Sequence, residues 1–310
     1  MVNQLRVQGI EVHKATSGSN VGDYVVFLDQ PYRNLAVTLL APQNYPKDAK
    51  FPPYDDIAWR LDYIYGVDVK KEDTVMFQKI NMEMVTSNVT YAGTVKGSGS
   101  SYVLNYKAQN TVLPAMYWIK SQNKKAKISV LNEHQVMYGD SLQAGSVIFK
   151  DITKAEADQI GRDFGFDLKA ASPSGKQHEV TLPKVAIYHS WFSTQDEGWS
   201  RYTFEQRNIP YTSIDKDDLK AGSLRQKFDV ILVPRMRGQV SDFIYGVDSK
   251  LGPMPFTKTA EFPSHGTPDA TTDMTGGPGM DGMNELKKFV DTGGVLVTLD
   301  NSTTIAAETE

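Results

Sequence analysis

Residues 184–234 read KVAIYHSWFSTQDEGWSRYTFEQRNIPYTSIDKDDLKAGSLRQKFDVILVP, and the order of their apolar and polar runs decides the fold. Val185-Ala186-Ile187-Tyr188 is a short apolar run of the kind found in strands covered on both faces. A polar loop follows, and Thr194-x-x-Glu197 has the spacing of a capping box that starts a helix. That helix carries Trp199, Tyr202 and Phe204 and is expected to end near Asn208, with Pro210 just beyond. Tyr211-Thr212-Ser213-Ile214 reads as a second strand, a short helix follows, and Asp229-Val230-Ile231-Leu232-Val233-Pro234 reads as a third. Strands and helices alternating at this spacing predict a parallel sheet with right-handed crossovers. The expected class is α/β, with this stretch opening a doubly wound, flavodoxin-like domain over 183–310.

Downstream, residues 235–280 are too long for a plain connection and read as a lid, an interface loop or an insert. A helix over 281–291 and a buried strand over 295–299 follow. Gly293-Gly294 caps the helix, and Thr275-Gly276-Gly277-Pro278-Gly279 reads as a tight turn. The turn lacks the Lys-Ser/Thr of a phosphate-binding loop, and Pro278 removes an amide donor. Upstream, AASPSGKQHEVTLP (170–183) is small, polar and proline-bracketed, the composition of a domain boundary. Before it lies a region 1–178 with strands expected over 10–14, 22–27, 67–76, 80–87, 102–105, 127–131 and 145–149. Helices are expected over 32–40, 54–65, 109–121 and 153–164. The glycine- and serine-rich run 93–101 reads as a linker. The strand–helix unit 22–40 parallels 145–164, which suggests a degenerate duplication of 1–95 and 96–178.

The composition is that of an ordinary globular protein, with 40% hydrophobic and 23% charged residues. Lys plus Arg total 33 against 37 Asp plus Glu, a net charge of −4, and neither half is strongly basic, which argues against nucleic acid as a partner. No apolar run approaches the ~20 residues of a membrane span. Cysteine is absent, which removes disulfides, cysteine-ligated zinc and a cysteine nucleophile together. The opening Met-Val-Asn-Gln-Leu-Arg lacks the apolar core of a signal peptide. It reads as the middle of a helix, and Ala306-Ala307-Glu308 reads as the start of another. Both ends therefore look like cuts through a larger protein.

Several short runs together resemble one family. They are Tyr188-x-x-Trp191, Asp196-Glu197-Gly198-Trp199-x-Arg201, Pro210-Tyr211-Thr212, Leu219-x-Ala221-Gly222-x-Leu224 and Phe228-Asp229-Val230-Ile231. Thr275-Gly276-Gly277 with Gly279 and Gly282, and Phe289-Val290-x-x-Gly293-Gly294-x-Leu296-Val297, belong with them. These resemble the amidotransferase-like domain that follows the catalytic domain in a long bacterial branch of the zinc carboxypeptidase family. Asp29-Gln30-Pro31-Tyr32-Arg33, and Pro53-Tyr54-Asp55 with Ala58-Trp59, resemble the connecting region of the same proteins. The resemblance implies an α/β connecting domain over 1–178 and an amidotransferase-like domain over 183–310, truncated at its C-terminus and without its nucleophile. It also implies a secreted or periplasmic parent whose zinc-bearing peptidase domain lies upstream and serves as partner.

The family's zinc centre uses a His-x-x-Glu pair and a distant second His. The five histidines here are followed three residues later by Thr16, Met137, Thr181, Phe192 and Pro268, so that site is absent and no catalytic residue is assigned. A Gly-x-Ser-x-Gly elbow is missing too; Gly97-Ser98-Gly99 falls short of it. No metal or cofactor is expected in this chain.

The polar loop after the first strand is the best candidate site, with His189, Trp191, Asp196, Glu197, Trp199 and Arg201 as its residues. In open parallel sheets, ligands bind outside the carboxyl ends of the strands, where this loop falls. One reading has Asp196 and Glu197 capping the helix while the tryptophans pack an interface. The others are docking on a neighbouring domain, or a sugar- or peptide-binding module using residues 189–201. Trp59 and Trp118 read as core residues, and Asp29 as a helix cap or turn residue.

Overall fold

The computed structural model describes residues 1–18, 21–42, 46–51, 60–72, 79–106, 111–137 and 139–308. Helices and strands alternate along most of the chain, which makes this a mixed α/β protein. It divides into two compact units, Met1–Tyr91 and Ala92–Glu310. Among the described residues no helix is long and apolar enough to cross a membrane.

The first unit contains α1 (Val2–Val7), β1 (His13–Ala15), β2 (Tyr24–Val25), α2 (Arg33–Leu40), α3 (Leu61–Tyr65) and β3 (Met82–Met84). Its sheet is antiparallel in the order β2-β1-β3. Leu5, Ile10, Val12, Ala36 and Leu61 form its core. The strand expected over 22–27 contracts to two residues, because it pairs with β1 on one side only. α2 is capped by Tyr32 without a side-chain bond, so Asp29 does not cap it. Gln30 instead clamps the turn, accepting from Glu11 N at 2.8 Å and donating to Phe27 O at 2.6 Å. Residues 67–72 form no strand. The matches at Pro53-Tyr54-Asp55 and Ala58-Trp59, and the rest of the strand expected over 67–76, lie outside the described residues.

The second unit opens with β4 (Val95–Lys96), β5 (Ser101–Leu104), α4 (Val112–Gln122), β6 (Lys127–Leu131), β7 (Gln135–Met137), β8 (Asp140–Leu142), β9 (Val147–Lys150), α5 (Lys154–Phe164), β10 (Leu168–Ala170) and β11 (Gln177–Glu179). Six strands form one sheet in the order β11-β6-β9-β5-β10-β4, antiparallel except for the β10–β4 pair. Period-2 alternation sorts its side chains. Tyr102, Leu104, Val147 and Phe149 face α4 and α5, meeting Ala115, Ile119, Ala157 and Ile160. Val103 and Ile148 point the other way, towards Leu142 and Met137 of the β7–β8 hairpin. Thr153 caps α5 with a complete capping box to Glu156, a feature worth about 1 kcal/mol.

The stretch 93–101, read as a linker, and the stretch 170–183, read as a domain boundary, each contain a short strand. The run 93–101 contains β4, and Gly93 sits so close to the Phe166 backbone that a Cβ there would lie 2.0 Å from Phe166 O. The polar run 170–183 contains β11, which pairs with β6 through Gln177–Leu131, His178–Val130 and Glu179–Ser129. In both, partner strands supply the order that local composition lacks.

The rest of the unit is β12 (Val185–Tyr188), α6 (Gln195–Gln206), β13 (Thr212–Ile214), α7 (Lys216–Ala221), α8 (Leu224–Lys227), β14 (Val230–Val233), α9 (Val240–Tyr245), α10 (Gly279–Asp291), β15 (Val295–Thr298) and α11 (Thr303–Glu308). Its four strands are all parallel in the order β13-β12-β14-β15. The crossover from β13 passes over β12 to β14. Ala186, Tyr188, Ile231 and Val233 face the apolar sides of α7 to α10, including Leu219, Phe243, Leu286 and Phe289. Asn208 follows α6 in the left-handed conformation, with φ 51°, as its position after the helix implied.

β15 departs from expectation. Its apolar run reads as a strand buried on both faces, yet Val295 and Val297 are 54% and 37% exposed, while Leu296 between them packs inward. Among the described residues β15 is the sheet edge.

The run 235–278 is ordered rather than a plain loop. Gly246 (φ +61) and Gly277 let two backbones meet, since a Cβ would fall 2.2 Å from Gly276 O and 2.4 Å from Ile244 O respectively. Val247 bridges to Thr275 and Gly276 at this contact. The glycine run is therefore a backbone-packing element rather than the tight turn read from the sequence.

Asp229 anchors the entry to β14. Its Oδ2 accepts from Lys184 N at 2.8 Å and its Oδ1 from Arg225 Nη1 at 2.7 Å. The Lys184 amide, with Arg225 assisting against a smaller burial effect, holds this carboxyl below its usual value of 3.8. A folded pKa below the unfolded one stabilises above the unfolded value, and that contribution is lost as pH falls through the folded value. Asp229→Asn is therefore expected to lower the urea midpoint at neutral pH and to flatten the loss of stability below about pH 4. Urea titrations at several pH values check this.

Candidate functional site

α6 is built inside out. Its two buried side chains are Glu197 and Arg201, one turn apart, whereas Trp199 and Tyr202 are 64% and 53% exposed. A helix laid on a sheet ordinarily turns its apolar stripe inward. Here the inward stripe is charged, and burying it requires partners.

Those partners come from three other places. Arg201 Nε donates to Glu197 Oε1, and Arg201 Nη2 donates to Ser213 Oγ of β13 and to Asp269 Oδ2. Ser213 Oγ donates in turn to Asp269 Oδ2 at 3.0 Å. Burial alone would lower the Arg201 pKa, but the hydrogen bond donated to Asp269 and the Glu197 charge outweigh it and raise it. His189 continues β12, its backbone N donating to Ile214 O at 2.7 Å. Its ring is 92% buried, and Nδ1 stands 3.4 Å from Glu197 Oε2 and 3.8 Å from Asp269 Oδ2. Neither ring nitrogen has a hydrogen-bond partner.

Trp191 closes the side of this group. Its ring meets His189 edge-on at 4.3 Å between centroids, and its Nε1 donates to Asp215 Oδ2 at 3.1 Å. Asp215 meanwhile caps α7 through Oδ1. Trp191 also contacts Phe256, on which His265 stacks, with Phe262 on the other side of that imidazole. This aromatic ladder pins the 235–278 run, and hence Asp269, over the strand ends. Beneath, burial pushes the Tyr188 phenol well up, with Asp215 and Asp217 adding to the shift.

The six residues nominated from sequence thus separate. His189, Glu197 and Arg201 come together, and Trp191 packs against them. Asp196 points away and pairs with Arg235 at 3.5 Å, while Trp199 faces solvent, edge-on to Tyr202 at 5.9 Å. The capping box at Thr194 does not form: Thr194 caps α6 without a side-chain bond, and its φ, ψ of −105°, −11° are helical rather than extended. Glu197 is turned to Arg201 instead. Asp269 and Ser213 were not among the nominated residues. Ser213 was readable only as a strand residue, and nothing around Asp269 marks it, since its partner Arg201 lies 68 positions earlier.

Two other histidines pair locally. His134 Nε2 pairs with Ser141 Oγ at 2.7 Å and His178 Nδ1 with Asn132 Oδ1. Trp118 packs with Phe164 against the six-stranded core, as its core reading expected. Comparison with protein-family profiles, curated proteins and solved structures finds no match to this chain.

Proposed function

We propose that this chain is a non-catalytic accessory region of a zinc-carboxypeptidase-like protein. In this reading residues 183–310 are a doubly wound, amidotransferase-like domain without a nucleophile, and 1–178 a connecting domain. Their work is to pack against the peptidase domain and shape access to it. The parent is secreted or periplasmic.

The observation that carries the reading is the inverted α6. The run 196–201, where the family resemblance is most specific, commits Glu197 and Arg201 to an internal network and leaves Trp199 and Tyr202 outward as an aromatic pair. Exposed aromatic side chains beside buried charges are the composition of a docking face rather than of a reacting centre.

The test mixes this chain with the zinc domain that precedes such regions in the resembled family and follows thermal unfolding. The zinc domain is expected to raise Tm, and Trp199→Ala with Tyr202→Ala is expected to weaken the association at least tenfold, as loss of interface anchors of about 2 kcal/mol would. Equal binding by the double variant would sink the reading. The rival is a peptide- or sugar-binding module at residues 189–201, favoured by the unpartnered His189 ring. Stabilisation by a small peptide or sugar alone would put it first.

A further inference from the structure

We infer that His189, Glu197 and Asp269 form a binding site for one divalent transition-metal ion, with Zn2+ as the best chemical fit. The three offer ligand atoms that all lie within 4.8 Å of one another. Nδ1 of His189 is 3.4 Å from Glu197 Oε2 and 3.8 Å from Asp269 Oδ2. Ligands on a tetrahedral ion with bonds of ~2.0–2.1 Å stand about 3.3–3.4 Å apart. The first separation fits that edge, and the second needs only a few tenths of an ångström of movement by Asp269, whose side chain is 26% exposed.

The ring of His189 supplies the independent observation. It is 92% buried, it faces two carboxylates, and its nitrogens make no hydrogen bond. Buried polar atoms are nearly always paired, so an orphaned imidazole nitrogen facing two carboxylates calls for a partner absent from the polypeptide. Charge points the same way. Two carboxylates face the single guanidinium of Arg201, leaving one negative charge in excess in a largely dry place. Arg201 and Ser213 already grip the carboxylates, the role that outer hydrogen-bond donors play behind metal-bound carboxylates.

The donor set selects the ion. One imidazole and two carboxylates suit Zn2+ and its neighbours, whereas Ca2+ takes six to eight oxygens. Three protein ligands leave a position for water, and the exposed side of Asp269 gives a path for it. A bound ion would tie the 235–278 run to β12 and α6, through ligands from all three. The inference stands apart from peptidase docking, which uses the opposite side of α6.

The full chain, stripped with a chelator and dialysed, is titrated with Co2+ as a spectroscopic probe and then with Zn2+. One equivalent of Co2+ is expected to give visible d–d absorption, one equivalent of Zn2+ to abolish it, and Zn2+ but not Ca2+ to raise Tm. His189→Gln and Asp269→Asn are each expected to weaken Co2+ binding by more than the about 10–100-fold that an outer partner is worth, with the far-UV circular dichroism unchanged. Should His189→Gln fail to fold, Asp269→Asn, at a side chain only partly buried, carries the assignment. A folded wild-type chain with no d–d band and no Zn2+-dependent Tm shift would overturn the inference. Binding undiminished in either folded variant would overturn it as well, by placing the ion elsewhere.

Discussion

Arg201→Met is expected to destabilise the second unit by about 3–5 kcal/mol, the cost of removing one partner from a buried ion pair. The guanidinium is 93% buried and holds Glu197, itself 95% buried, together with Asp269 and Ser213. Removing it strands Glu197 beneath α6 without a cation. Asp269 is partly exposed and recovers some hydration, so the lower half of that range is the better expectation. The loss should shrink in Glu197→Gln/Arg201→Met, where no charge is left beneath α6 and only the partly exposed Asp269 loses its cation. Urea midpoints of the single and double variants give the comparison. If the double variant is no more stable than Arg201→Met alone, the charge network is not what holds α6 in place.

The second large effect is expected at Phe289. This ring is 1% exposed on α10 and fills the space against Gly294, where a built Cβ would come within 2.4 Å of it. Gly294 N also donates to Phe289 O at 2.9 Å, so the ring and the helix end form one packed feature. Phe289→Ala empties that space and is expected to cost about 3–5 kcal/mol. Its neighbour Val290, 44% exposed, is the internal control, with Val290→Ala expected to stay within about 0.5 kcal/mol. A midpoint shift of similar size in both would show that α10 is not packed through this face.

These two residues also mark what can be read from sequence. Phe289 lies in a helix with an apolar stripe of Met283, Leu286 and Phe289, and such periodicity is visible in one dimension. So are β12 and β14, whose runs Val185–Tyr188 and Val230–Val233 are compact and mostly apolar, with β13 placed between them by the alternation of strands and helices. Thr-x-x-Glu occurs at both 153 and 194 and closes a capping box only at the first, because the backbone at Thr194 is already helical and Glu197 has a stronger partner in Arg201. The inner half of the candidate site was nominated because it sits in one polar loop and the helix after it. Asp269 was not, because its place depends on how the run 235–278 folds back. β11 was hidden for a related reason: Gln177-His178-Glu179 has no apolar alternation, and its strand state comes from β6. β15 erred in the opposite sense, since an apolar run says nothing about whether the strand ends up central or at an edge.

The six-stranded sheet bears on how fast the chain reaches its fold. Its β4 edge is set by Val95 meeting Leu168, and its β11 edge by Leu131 meeting Gln177. Neither pair can form until the intervening chain has been gathered, and that closure entropy comes before any return from the contact. The β7–β8 hairpin, with Met137 opposite Asp140, has almost nothing to gather. β6 meets β9 across a short loop as well, with Val130 opposite Val147, whereas β5 reaches β9 only across a separation like that of β11 from β6, so closure entropy alone puts the two local pairs first and the β4–β10 pair last. Until that pair closes, the two-residue β4 is the segment expected to stay open to proteases.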